Sequence, residues 1–253
     1  MADLFKILQP LQFLQTFLSL VKPPSDKPDK GIIDVEVNFS NTCSTDLENP
    51  DRTSICDLVR ECIKKVLFHA KVVDLNALCL VPRKHVWKLE LEIICLNLNG
   101  SIVDLSLLAA ICALKFCKLR KYDIDLDFDT IAPTETFEAL QVQSYPIFTT
   151  FCIVNDSLLE DPLVSEEELS DSMIRIAVDS RATSEEEKES STTAELIYFF
   201  EVTGSKEIET ATLEKCYRRA LSRARFIRGI IDKHTTVSNR EVEIKFEEPM
   251  EAD

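Results

Sequence analysis

Helices mixed with partly antiparallel strands make this chain an expected α+β domain, and three observations predict it. Val86–Leu98 alternates with a period of two: Trp87, Leu89, Leu91, Ile93 and Cys95 face one way, and Lys88, Glu90 and Glu92 the other. Ser54–Lys71 instead places apolar residues at helical spacing. Ile147–Val154, Met173–Val178 and Leu196–Val202 are short strand-like runs joined by acidic turns.

Taken in order, Phe5–Leu18 reads as an amphipathic opening helix within an N-terminal helical segment, residues 1–22, with Pro10 in a first turn. Gln9, Gln12 and Gln15 interrupt its apolar run and no Ala-x-Ala pattern follows, which reads against a signal peptide. Val21–Asn49 reads as a connection with strand pieces. Ser54 and Asp57 predict a capping box for helix 54–71, with Ile55, Leu58, Val59, Cys62, Val66 and Leu67 on its buried face. After the long strand, Asn99-Gly100 supplies a tight turn with positive φ, and Asp104 is placed to cap helix Val103–Leu119.

Tyr122–Asp129 is the next expected strand, followed by a Pro-Thr-Glu loop. Its Asp123, Asp125, Asp127 and Asp129 share one face. Four hard oxygen donors suggest a cation site, but carboxylates two apart on a flat strand point side by side and do not wrap an ion, so a solvent-facing sheet surface is expected instead. Ser180–Ser191 combines acids with Ser and Thr and has no apolar periodicity, the composition of a mobile loop. The last helix, near Thr210–His234, opens with Glu207, Glu209 and Glu214 and closes with Arg and Lys, the order its dipole favours. Residues 235–253 read as an acidic, solvated tail.

A chain of 253 residues with 45% hydrophobic content can bury a proper core. A net charge of −15 argues against a simple RNA-gripping domain, which would carry a basic footprint. Nine cysteines without a Cys-x-x-Cys pair read as free thiols in a reducing compartment. Two basic groups stand out: Arg218, Arg219, Arg223 and Arg225 on the last helix, and Arg83-Lys84 before the long strand. They suit contact with RNA phosphates or an acidic partner face, and equally suit a solvated surface paired with local Glu. His69, His85 and His234 share no motif with a Ser or Cys nucleophile, and GxGxxG, GxxxxGK and HExxH are all absent. No catalytic residue, metal site or cofactor is expected.

The order of these pieces resembles the RNase PH family. A Trp-bearing strand, an Asn-Gly turn and an Asp-led, Ala- and Leu-rich helix run through Val86–Lys115; Ser25–Gly31 is similar to an Asp-Lys-Gly segment of that family; Asp161-Pro162 with Glu166-Glu167-Glu168 is similar to its Asp-Pro-Thr-x-Glu-Glu turn; and Leu213–Asp232 looks like its last helix. The opening helix is similar to that of the non-catalytic RNase PH-like subunits of the eukaryotic RNA exosome. The resemblance implies an RNase PH fold, like the second domain of ribosomal protein S5, over residues 23–234. It also implies a sheet truncated at its N-terminal side, because the family's Arg-bearing first strands have no counterpart between Leu18 and Ser25.

Three functions are compatible with that likeness: a structural subunit of the exosome core ring, an active phosphorolytic exoribonuclease, or an assembly-defective splice form. The first is favoured because the family's early basic residues are absent and its late acid falls at Met173, with Asp171 out of register. The implied partners are other RNase PH-like ring subunits, cap subunits with S1 and KH domains, and RNA threaded through the ring, in nucleus, nucleolus and cytoplasm. Loss of the first strands further implies that strand 86–98 needs a partner to cover its edge and apolar face.

Overall fold

The computed structural model describes residues 12–41, 43, 49–125, 130–179 and 196–238. Among the described residues, ten strands and four helices follow in the order β1 (Gln12–Val21), β2 (Ile32–Phe39), α1 (Asn49–His69), β3 (Cys79–Val81), β4 (His85–Cys95), α2 (Ile102–Phe116), β5 (Lys118–Asp125), β6 (Thr130–Ala139), β7 (Pro146–Val154), β8 (Ser157–Glu160), α3 (Val164–Glu168), β9 (Ser172–Asp179), β10 (Leu196–Gly204) and α4 (Thr210–Ser238). The first sheet has the order β1-β4-β2 with β3 also on β4, the second is β10-β9-β7-β8, and β5-β6 forms a separate hairpin.

The long strand β4 is the centre of the first sheet. Leu89, Leu91 and Ile93 are fully buried and Trp87 nearly so, as the alternation predicts; Val86, on the opposite face, is buried as well. The expected opening helix is corrected, because Gln12–Val21 is a strand that pairs antiparallel with β4 along its length, Leu18 opposite Leu89 and Leu20 opposite Trp87. The physical reason is a second period in the same residues. Leu18 and Leu20 pack against the core while Phe17, just before Leu18, is half exposed, and the strand gives partners to edge amides of β4. With β2 parallel on its other side, β4 has both edges paired, so the expectation that it lies uncovered is also corrected.

Other boundaries move for local reasons. Helix α1 begins at Asn49 rather than Ser54, so Ser54 and Asp57 sit inside it and form no capping box; Asp57 pairs with Arg60 one turn on. Leu58, expected in its buried face, is 41% exposed, and Ile63 takes that place. The positive φ angles after β4 fall on Gly100 and Ser101, not on Asn99. The expected Pro-Thr-Glu loop is the strand β6, antiparallel to β5, with Pro133 opposite Tyr122 beside an irregularity in register where a missing N–H is tolerated. Asp127 and Asp129, the loop 180–191 and most of the acidic tail lie outside the described residues; residues 235–238 of that tail continue α4. Helix α2 packs against β1 and β4 of the first sheet and β7 of the second, so it joins the two. Helix α4 packs on β7 and β9. All nine cysteines are free thiols, and burial pushes Cys95 and Cys112 up to about 12, which keeps them protonated and unreactive.

Candidate functional site

Three of the stretches singled out in the sequence meet at one joint. The turn before α2 docks onto the Asp161–Glu167 turn, and α4 reaches the same place. Gly100 has φ +94° and lies so close that an added Cβ would stand 2.0 Å from the Pro162 carbonyl oxygen. The Ser101 N–H, orphaned at the helix start, donates to Glu167 Oε1 at 2.8 Å, and the Leu163 N–H donates to Glu166 Oε2 at 2.8 Å. Burial holds the Glu167 carboxyl above its ordinary value, offset in part by the Ser101 N–H.

Asp104 is the deepest polar group of the joint. It was expected to cap α2, yet the residue at that cap is Ser101, without a side-chain cap bond, and Asp104 turns inward to β7. The Thr150 N–H donates to Asp104 Oδ2 at 2.8 Å and the Thr150 hydroxyl to Oδ1 at 2.6 Å. Burial pushes this carboxyl up to about 6, with Thr150 and the nearby Arg223 guanidinium acting against the shift. Sequence reasoning missed this role because an acid in the first turn of a helix usually faces water. The raised value fixes a sign. The native state holds a proton more readily than the unfolded chain between about pH 4 and 6, so stability falls as pH rises through that window and is level above it. Asp104→Asn, whose amide can both accept from the Thr150 N–H and donate to its hydroxyl, should flatten that slope. Asp104→Ala should be about 1–3 kcal/mol less stable than Asp104→Asn, because the buried Thr150 N–H then lacks an acceptor. Urea midpoints of the three proteins at pH 5 and 7.5 check this.

The basic candidates fall into three situations. Arg219 and Arg223 point at the joint, at 4.0 Å from Glu160 and 3.7 Å from Asp161, and Arg218 pairs with Glu214 on its own helix at 2.5 Å. Arg225 is exposed. Arg83 and Lys84 are exposed on the turn between β3 and β4, where Arg83 has φ +67° and donates its N–H to the Pro28 carbonyl at 2.7 Å. Arg228, absent from the candidates, lies over the Tyr145 ring at 4.9 Å and 3.4 Å from buried Asp179. Asp171 is exposed and Ser172 beside it is buried, its hydroxyl donating to backbone carbonyls. Among the described residues no group of three or more His, Cys, Asp or Glu could hold a metal ion.

This topology has counterparts among known proteins. Residues 16–120 match the model of domain 1 of the 3′ exoribonuclease family, RNase PH. The fold is the RNase PH fold. Archaeal exosome core chains superpose with a TM-score of 0.65 at 21% identity, covering 87% of this chain and 76% of theirs. A chain of the Archaeoglobus fulgidus exosome with RNA bound to its active site gives 0.67 at 23% identity, covering 86% and 78%.

Among particular proteins, the chain is similar to exosome complex component rrp43 of Schizosaccharomyces pombe, 29% identical over 163 residues, which are 64% of this chain and 60% of that protein. It is also similar to exosome complex component Rrp42 of Thermococcus kodakarensis, 30% identical over 162 residues, 63% and 59% of the two chains. Human exosome complex component RRP45 is 26% identical over 170 residues, 65% of this chain and 38% of that one. The chain thus spans about 60% of the length of the first two, which fits a domain short of its first strands.

Proposed function

We propose that this chain is a non-catalytic structural subunit of an exosome-type core ring, acting in 3′-to-5′ RNA processing and decay through protein–protein assembly. One observation carries the reading. Where the resembling segments converge, the groups are spent on one another: Arg219 and Arg223 face Glu160 and Asp161, Glu167 holds a backbone N–H, and Asp104 is sealed against Thr150. Phosphorolysis needs open cations to hold phosphate and RNA backbone, with an acid to transfer a proton. This joint offers neither. Its rigidity serves to hold two sheets in one orientation, which is what a ring subunit must present to its neighbours. Under this reading, Arg218, Arg225, Arg83 and Lys84 remain surface groups for an acidic partner or for RNA threaded through the ring. RNase PH-like subunits and S1/KH cap subunits would be the neighbours, in nucleus and cytoplasm.

Single-stranded RNA incubated with the purified chain, inorganic phosphate and magnesium tests the catalytic part. No nucleoside diphosphate should appear above a no-protein control. Release that Asp171→Asn abolishes would make the chain a phosphorolytic enzyme instead.

A further inference from the structure

A groove of about 770 Å³ lies along β2. Two contacts fix its course. Lys64 of α1 pairs with Asp34 of β2 at 2.7 Å, and farther along the chain the Leu75 carbonyl accepts from the Gly31 N–H at 2.8 Å. The stretch from Lys64 to Leu75 therefore runs back along β2, and the groove opens between the two. Its wall is pinned by backbone: the Gln143 N–H donates to the Val72 carbonyl at 2.8 Å, and Val73 bridges to Val142. A cleft held in this way exists before anything enters it.

Ile33, Val35, Leu67, Val73 and Leu75 give the groove an aliphatic lining, and Phe68, which is 68% exposed, also borders it. The acids nearby are already engaged. Asp34 accepts from Lys64 and from the Val35 N–H, and Asp74 accepts from the backbone and side-chain amides of Asn76. Lys30 and Lys71 border the same groove and form no ion pair among the described residues. The alternation of β2 sends Asp34 and Glu36 to the other face of the sheet, where they line a separate hollow with Phe17, Glu90 and Glu92. A nucleic acid would carry its phosphates past that acidic face, which repels a polyanion. A short chain with charge at one or two points avoids it. Two lysines beside aliphatic walls thus select an occupant that is apolar in its body and anionic at its flanks.

We infer that this groove docks an acidic peptide segment of another protein, with a large apolar side chain against Ile33, Val35 and Leu67 and flanking carboxylates at Lys30 and Lys71. Such docking needs neither a ring nor an active site, and it adds a surface for recruiting a further protein.

Fluorescence anisotropy on the full-length chain tests this, with the fluorescein-labelled peptide Glu-Asp-Leu-Phe-Asp-Glu as probe. The unaltered chain should bind it, and Lys30→Gln with Lys71→Gln should weaken binding about tenfold. Lys121→Gln with Lys215→Gln removes the same charge from β5 and α4 and should change affinity less than about twofold. Phe68→Ala, at an exposed position, should weaken binding about threefold. Urea midpoints of all the variants check that each is folded. Saturating probe should slow hydrogen–deuterium exchange across residues 67–75 and leave β9 unchanged. No binding by the unaltered chain, equal loss in the two lysine pairs, or slowed exchange elsewhere but not at residues 67–75 overturns the inference. A short poly-uridylate that binds more tightly than the peptide and is lost with Lys30 and Lys71 would make the groove a nucleic-acid site and overturns it equally.

Discussion

Gly100→Ala should lower stability by about 4 kcal/mol, the largest single effect expected in this chain. Two costs add. The residue has φ +94°, a region an L side chain rarely enters, and the new methyl would stand 2.0 Å from the Pro162 carbonyl and 2.9 Å from backbone atoms of Leu163. Neither neighbour is a flexible side chain, so relief requires α2 and the 161–167 turn to separate, which also strains the Ser101–Glu167 bond. Gly229→Ala supplies the control. It lies in α4 with nothing within 4 Å of an added Cβ, and should stabilise by about 0.5–1 kcal/mol. Urea unfolding of both proteins, with the slope checked for constancy, separates them. A Gly100→Ala midpoint within error of wild type would mean that the joint is not close-packed.

Leu91→Ala should cost about 3–4 kcal/mol. Leu91 is fully buried at the middle of β4, opposite Thr16 of β1 and Val35 of β2, and belongs to the core cluster shared with α2. Its removal leaves a cavity walled by paired backbone on both sides, which can collapse little. Leu91→Met, which conserves volume, should cost less than about 1.5 kcal/mol. Thermal melts read both, and equal melting temperatures for Leu91→Ala and wild type would show that β1 does not close the sheet over this strand.

How much of this was legible in the residues depends on what each segment buries. β4 was readable because one of its faces is wholly buried and the other charged, which imposes a clean two-residue period. α2 was readable from Leu107, Leu108, Ile111 and Leu114, all buried. β1 was not, because apolar residues crowd Phe13–Leu20 densely enough to satisfy a helical period as well, and the choice was made by the unpaired edge of β4, which no local pattern reveals. β6 was hidden by Pro133 and by side chains that are largely exposed, so no alternation marks it. At the joint, the Asn-Gly turn and the acidic 161–168 stretch were visible separately. Their contact, and the inward turn of Asp104 to a threonine 46 residues away, arise from packing between the two sheets. The arginines of α4 were recognisable as a basic group, but whether they faced solvent or carboxylates depended on where β8 and the turn after it come to lie.

Light scattering coupled to size-exclusion chromatography tests most directly whether this domain assembles into a ring as proposed. The chain should be co-expressed with other RNase PH-like ring subunits and the eluted mass measured. Co-elution in a defined complex with one of them, growing to ring mass when the remaining RNase PH-like subunits are supplied, is the predicted result. A monodisperse monomer that melts cooperatively and co-elutes with none of them would contradict the account.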